Sequence, residues 1–203
     1  QLSVWTQPLS FSVECARASF IAGITHGDLT SACFAACQQV MNFLTRGDHL
    51  DSILTTLDRC LAFVERAHFP DVRTMLTILR LYVEHWRDPA ASAFTGKTFL
   101  PETLVQTVHE DGETMMPLML FGYWLYKGIA HYCAQEYDAA SHCFEQTDAQ
   151  AWSASGQNNF ADFHYFSALC LAGPLTPATV SAAHRAQFML HLQRVEQWAR
   201  VNP

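Results

Sequence analysis

Gly96-Lys97-Thr98 is the stretch whose residue types most directly suggest chemistry, because these residues close the phosphate-binding loop of many nucleotide hydrolases. Such a loop also needs a glycine five positions earlier, where this chain has Ala91. It needs a strand before it and, directly after it, a helix whose free amide groups face the phosphates. Here a helical pattern precedes the stretch, and Pro101 delays the next helix. We therefore interpret it as a connecting loop and predict no cofactor site.

A metal site is the second chemistry to consider, because the chain has seven cysteines and ten histidines. Cys33 and Cys37 stand four residues apart, and Cys133, His142 and Cys143 lie close in sequence. Zinc ligands usually come from a CxxC knuckle or an HExxH pair, and the sequence contains neither motif. An odd number of cysteines within apolar stretches favours buried, reduced thiols in a cytosolic protein. We predict no metal and no catalytic residue.

Arginines spaced seven residues apart are the third candidate, because they can form one stripe on neighbouring helices. The stripe consists of Arg59, Arg66, Arg73, Arg80 and Arg87. Such a row is able to receive an acidic partner segment or phosphate groups. Seven-residue spacing is also typical of the solvent face of amphipathic helices, where Glu65 and Glu84 are near enough to pair with arginines. We favour the solvent face and keep the stripe as a candidate partner surface.

Composition limits the partners of the chain. A length of 203 residues, with 50% hydrophobic and 15% charged residues, is typical of a globular protein. The net charge of -7 and the presence of only two lysines argue against nucleic-acid binding, which needs a basic surface. No apolar run approaches the ~18 residues of a membrane helix, and no signal peptide is visible at the N-terminus. We expect a cytoplasmic protein without membrane insertion.

The elements that position all these residues are predicted to be helices, because apolar residues recur at three- and four-residue spacing and no segment alternates as strands do. The spacing predicts helices near 12–25, 29–45, 50–68, 71–87, 101–109, 115–134, 137–149, 158–172 and 177–200. Gly47-Asp48 is interpreted as the stop of one helix and the cap of the next. We predict a single all-α module over 1–203, with helix groups 1–88 and 101–203 joined by the loop 89–100.

A repeat pattern indicates how these helices pack. Five residues in the second group fall at the offsets of the tetratricopeptide repeat, in which a small residue lets two antiparallel helices approach and an aromatic residue closes the pair. They are Trp124, Gly128, Tyr137, Ala140 and Phe144. We predict a stacked superhelical array with a concave side, an architecture that usually presents a binding surface.

An earlier segment, "ASFIAGITHGDLTSACFAAC", repeats this shape loosely. It has a helix rich in small residues, a tight turn at Gly27, and Ala32 where the second helix must pack closely. Ala36 stands where the repeat has an aromatic residue, so the match is weaker. We predict that Gly27 and Ala32 pack this first pair.

The order of four segments resembles the helical-repeat region of very large bacterial signalling ATPases. The segments are "GDLTSACFAACQQVMNFLTRGDHLDSIL", "YWLYKGIAHYCAQEYDAASHCFEQTDA", "FHYFSALCL" and "VEQWARVNP". In that family a protein-kinase-like domain and an AAA-type ATPase domain precede such a region, and sensor and output domains follow it, often a GAF domain and a histidine kinase or a cyclase. The resemblance implies that nucleotide and phosphotransfer sites lie in other domains, and that this chain is a fragment of a longer protein.

These observations lead to two main functional hypotheses, and a small all-helical enzyme that uses a thiol or a metal is kept as a third. The first is a non-catalytic protein-interaction or relay module between the ATPase and output domains of a cytoplasmic signalling protein, with neighbouring domains or another protein as partner. The second is a sensor that holds a small molecule on its concave face or in an aromatic cluster. That cluster consists of Phe160, Phe163, Tyr165 and Phe166.

Overall fold

The computed structural model describes residues 6–88, 94, 116–173 and 181–201, and the regular structure within those ranges is entirely helical. The helices are α1 (Leu9–His26), α2 (Leu29–Arg46), α3 (Leu50–Arg66), α4 (Pro70–Arg87), α5 (Pro117–Cys133), α6 (Tyr137–Gln150), α7 (Asn159–Ala172) and α8 (Ala182–Val201), with a short 3-10 turn at Ala151–Ser153. The prediction of an all-α fold is confirmed. The predicted helix 101–109 and all of the loop 89–100 except Phe94 lie outside the described residues.

Local chemistry explains where several helices begin and end. Pro70 and Pro117 each occupy a first helical turn, where a missing N–H group costs nothing. Gly27 and Gly47 end α1 and α2 in the left-handed conformation, with φ of 75° and 78°. These four boundaries follow from proline and glycine alone.

The cap of α3 differs from the prediction. His49, and not Asp48, precedes the first turn, and its Nδ1 accepts a hydrogen bond from the backbone N–H of Asp51 at 3.3 Å. The Asp48 carboxylate instead accepts two hydrogen bonds from the guanidinium of Arg46. The carboxylate of Asp48 could accept hydrogen bonds either from the first N–H groups of α3 or from Arg46. In the structure it accepts them from Arg46.

Consecutive helices pack as antiparallel neighbours, giving the pairs α1/α2, α3/α4, α5/α6 and α7/α8. Helix α2 also contacts α3 and α4, α4 contacts α5, and α7 contacts both α5 and α6. Within this part of the chain the pairs therefore stack in sequence order. Apolar residues between them form a continuous core, in which Phe121, Tyr123 and Leu125 of the central helix α5 are fully buried.

One contact departs from simple nearest-neighbour stacking. The side chain of Asn158, just before α7, donates through Nδ2 to Thr45 Oγ1 of α2 at 2.8 Å. These residues are 113 positions apart in sequence. The last turn of α2 and the start of α7 are therefore brought together, and this contact frames the site described next.

Candidate functional site

A cavity of about 350 Å³ lies between α1, α2, the start of α4, the start of α5 and the segment leading into α7. Its volume falls at the lower end of the range of small-molecule sites, ~300–1,000 Å³. Cys15, Ser19 and Phe34 line it and are exposed, so the cavity is open to solvent on the side of the first hairpin. A small ligand has both the space and an entrance.

Methionines form much of the apolar lining. Met41, Met75 and Met119 are buried, and Met116 is exposed at the edge of the cavity. Methionine side chains are unbranched and polarisable, so they adjust to ligands of different outline and make favourable contacts with aromatic rings. The apolar part of the lining is therefore adaptable.

Serines and amide-bearing residues form the polar part of the lining, and Asn158, which lies next to the cavity, holds the orientation of Asn42 through one backbone hydrogen bond. The backbone N–H of Asn159 donates to Asn158 Oδ1 at 3.0 Å, which fixes that oxygen. The Nδ2 of Asn158 therefore faces α2, where it donates to Thr45 Oγ1 and lies 3.5 Å from Asn42 Oδ1. Gln38 Nε2 donates to the same Asn42 oxygen at 3.0 Å. The Nε2 of Gln38 and the Nδ2 of Asn158 therefore both lie on the Oδ1 side of the Asn42 amide, and Asn42 Nδ2 points away from them.

Two polar atoms of the lining are left without a hydrogen-bond partner. Asn42 is fully buried, and its Nδ2 has none among the described residues. Asn159 is 2% exposed; its Nδ2 lies 3.5 Å from Tyr126 Oη, and its Oδ1 has no partner there either. Both atoms are closed off from solvent, and two other buried atoms, His85 Nδ1 and Ser167 Oγ, also lack partners among the described residues although they do not line the cavity.

The cavity carries little charge. Asp71, half-buried in the first turn of α4, is the single charged residue among the described residues of the lining. Burial raises the pKa of the Cys37 thiol, which also lines the cavity, to about 12. This thiol is therefore protonated at neutral pH and is a poor nucleophile.

Sequence reasoning did not identify these amides, although a signal was present. Asn42 lies seven residues after Ala35, on the buried face of α2, where the apolar pattern predicts a hydrophobic residue. A polar residue at a buried helical position requires a partner, and Gln38 one turn earlier is the partner found. The contribution of Asn158 and Asn159 has no comparable local signal.

The repeat-like residues of the second group lie at the α5/α6 crossing. A Cβ added to Gly128 would stand 2.8 Å from a ring carbon of Phe144, so only glycine leaves room for the ring. Ala140 is fully buried on α6. Trp124 and Tyr137 are half-buried, and their rings make edge-to-face contacts with His142 and Tyr132, respectively. These residues pack helices and lie away from the cavity.

In the first pair the close approach occurs at a different glycine from the predicted one. Gly27 lies in the turn, and a Cβ there would meet nothing within 4 Å. At Gly23 a Cβ would stand 2.9 Å from both Ala32 N and Asp28 O. Ala32 is fully buried at this crossing, whereas Gly27 acts through its left-handed backbone.

The arginine stripe is partly engaged in ion pairs. Arg80 binds Asp58 of α3 at 2.6 Å and Glu84 of α4 at 2.8 Å, and Arg87 lies 3.1 Å from Asp51. The other members lie on the same helices: Arg59 and Arg66, which are exposed, and Arg73, which is half-buried. These ion pairs favour the interpretation that the arginines form the solvent face of α3 and α4, rather than a surface that binds a partner.

The cysteines differ in part from the prediction. Five of the seven are buried, but Cys15 and Cys133 are exposed, and all seven are free thiols. Among the described residues, no group of three or more metal-ligating side chains is close enough to hold an ion. Of the aromatic cluster, Phe163 is buried in the core, whereas Tyr165 is half-exposed.

The phosphate-loop-like residues Gly96-Lys97-Thr98 lie outside the described residues.

Comparison of the chain with protein-family models, curated proteins and solved structures found no match in any of the three. The resemblance to the helical-repeat region of signalling ATPases therefore stays a prediction. None of the helices in the described ranges combines the length and apolar character needed to span a bilayer.

Proposed function

We propose that this chain is a non-catalytic, tetratricopeptide-like helical module that binds a small molecule in the cavity between α1, α2 and the starts of α4, α5 and α7. The observation that carries this proposal is the open cavity of about 350 Å³, which is lined by four methionines and by polar residues such as Gln38 and Gln157. A ligand that covers the methionine surface gains about 25 cal/mol for each Å² of apolar area removed from water.

Binding rather than catalysis fits the lining. The described lining contains no histidine to act as a general base, and burial keeps the Cys37 thiol protonated because it raises its pKa. What remains is a set of amides, hydroxyls and methionines, which recognise shape and hydrogen-bonding pattern. This favours the small-ligand sensor, the second hypothesis drawn from the sequence.

A protein-interaction or relay role, the first hypothesis from the sequence, has a separate observation in its favour. Large apolar side chains are exposed on the two outer hairpins: Phe11, Ile21 and Ile24 on α1, and Met189, Leu190 and Val201 on α8. Exposed apolar groups of this size are typical of surfaces that contact other proteins. In a cytoplasmic signalling protein of the resembled family, neighbouring domains of the same chain are the proposed partners, and ligand binding is the signal that the module relays.

Two exposed cysteines allow a direct test of cavity binding. Cys15 lines the cavity, whereas Cys133, at the end of α5, does not. We propose to measure maleimide alkylation in two matched variants, Cys133→Ser, which retains Cys15, and Cys15→Ser, which retains Cys133. Compounds for this test are first selected from a metabolite panel by an increase in melting temperature.

A ligand bound in the cavity is expected to slow the alkylation of Cys15 about tenfold when present at ten times its Kd, because only the unoccupied protein reacts. The alkylation of Cys133 is expected to stay unchanged. If every compound that raises the melting temperature leaves both rates unchanged, or slows both equally, the proposed cavity site is wrong.

A further inference from the structure

We propose that the pair formed by His164 and His191 makes the docking of α8 on α7 dependent on pH, so that protonation of the two imidazoles releases α8 while the other helices stay folded. No residue of α8 lines the cavity, so this inference does not rest on the proposed ligand site. It follows from three properties of the α7/α8 interface: how little of α8 is buried, how many protons the pair can hold, and which charges surround it.

Helix α8 is held by a thin interface. It packs chiefly on α7, and of its 20 residues, all of which are described, His191 is the one buried side chain. The apolar residues that accompany it toward α7 are half-buried: Phe188, Leu192, Val195 and Trp198. Elements with few buried contacts open at low free energy, so the docking of α8 is sensitive to a change at His191.

The two imidazoles can hold one proton between them, but not two. His164 Nδ1 and His191 Nδ1 lie 2.9 Å apart, so one of these nitrogens donates and the other accepts. A protonated imidazole carries a hydrogen on both nitrogens and has no acceptor left. When both rings are protonated, two N–H groups and two positive charges face each other across the interface. The hydrogen bond is then lost, and the charges repel.

The surroundings of the pair favour its uncharged form. Aromatic rings of α7 and α8 surround it, and within the described residues no carboxylate forms an ion pair with either imidazole. Burial lowers the pKa of both rings, that of His164 to about 4. The neighbouring imidazole and Arg194 of α8 lower the pKa of His164 further, whereas Asp148 of α6, an exposed residue, partly offsets the effect of burial on His191.

Docking is therefore strongest above the ordinary histidine pKa, near 6.5, and weakens as the pH falls below it. Both rings regain ordinary pKa values when α8 leaves, so acid favours the released form. Between pH 7.5 and pH 5, His164 alone raises the ratio of released to docked α8 about thirtyfold. His191 acts in the same direction and adds to this factor.

A third histidine joins the same two helices without this property. His184 Nε2 of α8 lies 2.7 Å from the carbonyl oxygen of Leu171 on α7, to which it donates. Its Nδ1 can take up a proton without loss of that hydrogen bond. His184→Gln is therefore a matched control, because it removes a histidine from the interface and leaves the pair of His164 and His191 in place.

Hydrogen exchange read by mass spectrometry tests the proposal, because it follows α8 and α3 separately. Wild type, His184→Gln and the double variant His164→Gln/His191→Gln are compared at pH 7.5 and pH 5, after correction for intrinsic exchange rates. We expect α8 to open more often than α3 at both pH values. Its opening should rise about thirtyfold or more at pH 5 in the wild type and in His184→Gln, and less than about threefold in the double variant, whose amides do not titrate.

Three results would overturn the proposal: equal opening of wild-type α8 at both pH values, the full rise in the double variant, or an α8 that never exchanges faster than α3. The last result would assign the proton uptake to global unfolding. If α8 of the double variant is already unprotected at pH 7.5, an NMR titration of the wild-type imidazole protons decides. Both rings are expected to titrate only as α8 loses protection, and titration near pH 6.5 with α8 still protected would contradict the proposal.

Discussion

Gly23→Ala is the perturbation that most directly tests how the first hairpin is built. The added methyl group would stand 2.9 Å from Ala32 N and from Asp28 O, and 3.0 Å from Ala32 Cβ. Ala32 N and Asp28 O are the two ends of the first backbone hydrogen bond of α2, which is 3.1 Å long. Backbone atoms do not rotate away as side chains do, so α2 must move or lose this bond.

The magnitude follows from two opposing effects. Forcing an extra methyl group into a packed crossing costs about 1–3 kcal/mol, and the upper end applies where backbone is the neighbour. Alanine in place of glycine within a helix raises the free energy of unfolding by about 1 kcal/mol, because alanine has the higher helix propensity. The net expected loss is about 2 kcal/mol, or roughly 4–8 °C in melting temperature for a chain of this size.

Chemical and thermal unfolding measure this loss, and Gly122→Ala is the matched control. Gly122 is also a buried helical glycine, but a Cβ there would meet the flexible end of Met75 at 3.2 Å. This control is expected to match the wild type or to gain up to about 1 kcal/mol. A Gly23→Ala protein as stable as the wild type, or a Gly122→Ala protein destabilised equally, would refute the assigned crossing.

Four further predictions concern stability. Gly128→Leu is expected to lose more than about 3 kcal/mol and to bind a hydrophobic dye, because even a Cβ would meet the Phe144 ring at 2.8 Å; unchanged melting would contradict this. Burial lowers the pKa of His164 to about 4 in the folded protein. On acidification this histidine therefore takes up a proton in the unfolded chain at a higher pH than in the folded one. Its burial is therefore expected to make folding about 2 kcal/mol less favourable at pH 5 than at pH 7.5. His164→Gln should reduce this difference in denaturant titrations at the two pH values, and part of it should remain because burial also lowers the pKa of His191, which lies 2.9 Å from His164. Burial raises the pKa of Asp162 from its ordinary value near 4 to about 6, so its ionisation opposes folding increasingly between these two pH values and by a constant amount above them. Asp162→Asn is expected to add about 3 kcal/mol at pH 7.5 and about 1 kcal/mol at pH 4.5, and an equal gain at both would contradict the assignment. Arg80→Ala should cost less than about 1 kcal/mol, because exposed ion pairs contribute little, and a larger loss in urea unfolding would show that this pair is shielded from solvent.

Sequence patterns predicted most of the described helices because their signals are local. The periodicity that predicts helices near 50–68 and 71–87 is the same apolar stripe that the structure buries in α3 and α4. The prolines and glycines at helix ends act through their own backbone geometry, so their effect needs no distant partner. The exceptions are turns made by His68 and Gln135, whose positive φ of 53° and 63° is uncommon for residues other than glycine.

The site was less accessible to sequence reasoning. Asn42 has a local signal, a polar residue on a buried helical face, but its neighbour Asn158 lies 116 residues away. No pattern within a single helix pairs two such positions. The choice between Gly23 and Gly27 had the same difficulty, because the role of a glycine depends on which helix passes closest to it.

The sequence by itself therefore determined the all-α class, most helix boundaries and the glycine at the α5/α6 crossing, since each of these depends on spacing along the chain. Only the tertiary structure decided where a cavity forms, which polar residues line it, and which arginines are occupied by ion pairs. The physical reason is that hydrogen bonds and burial depend on distances between segments far apart in sequence. Stacking of the hairpins sets those distances.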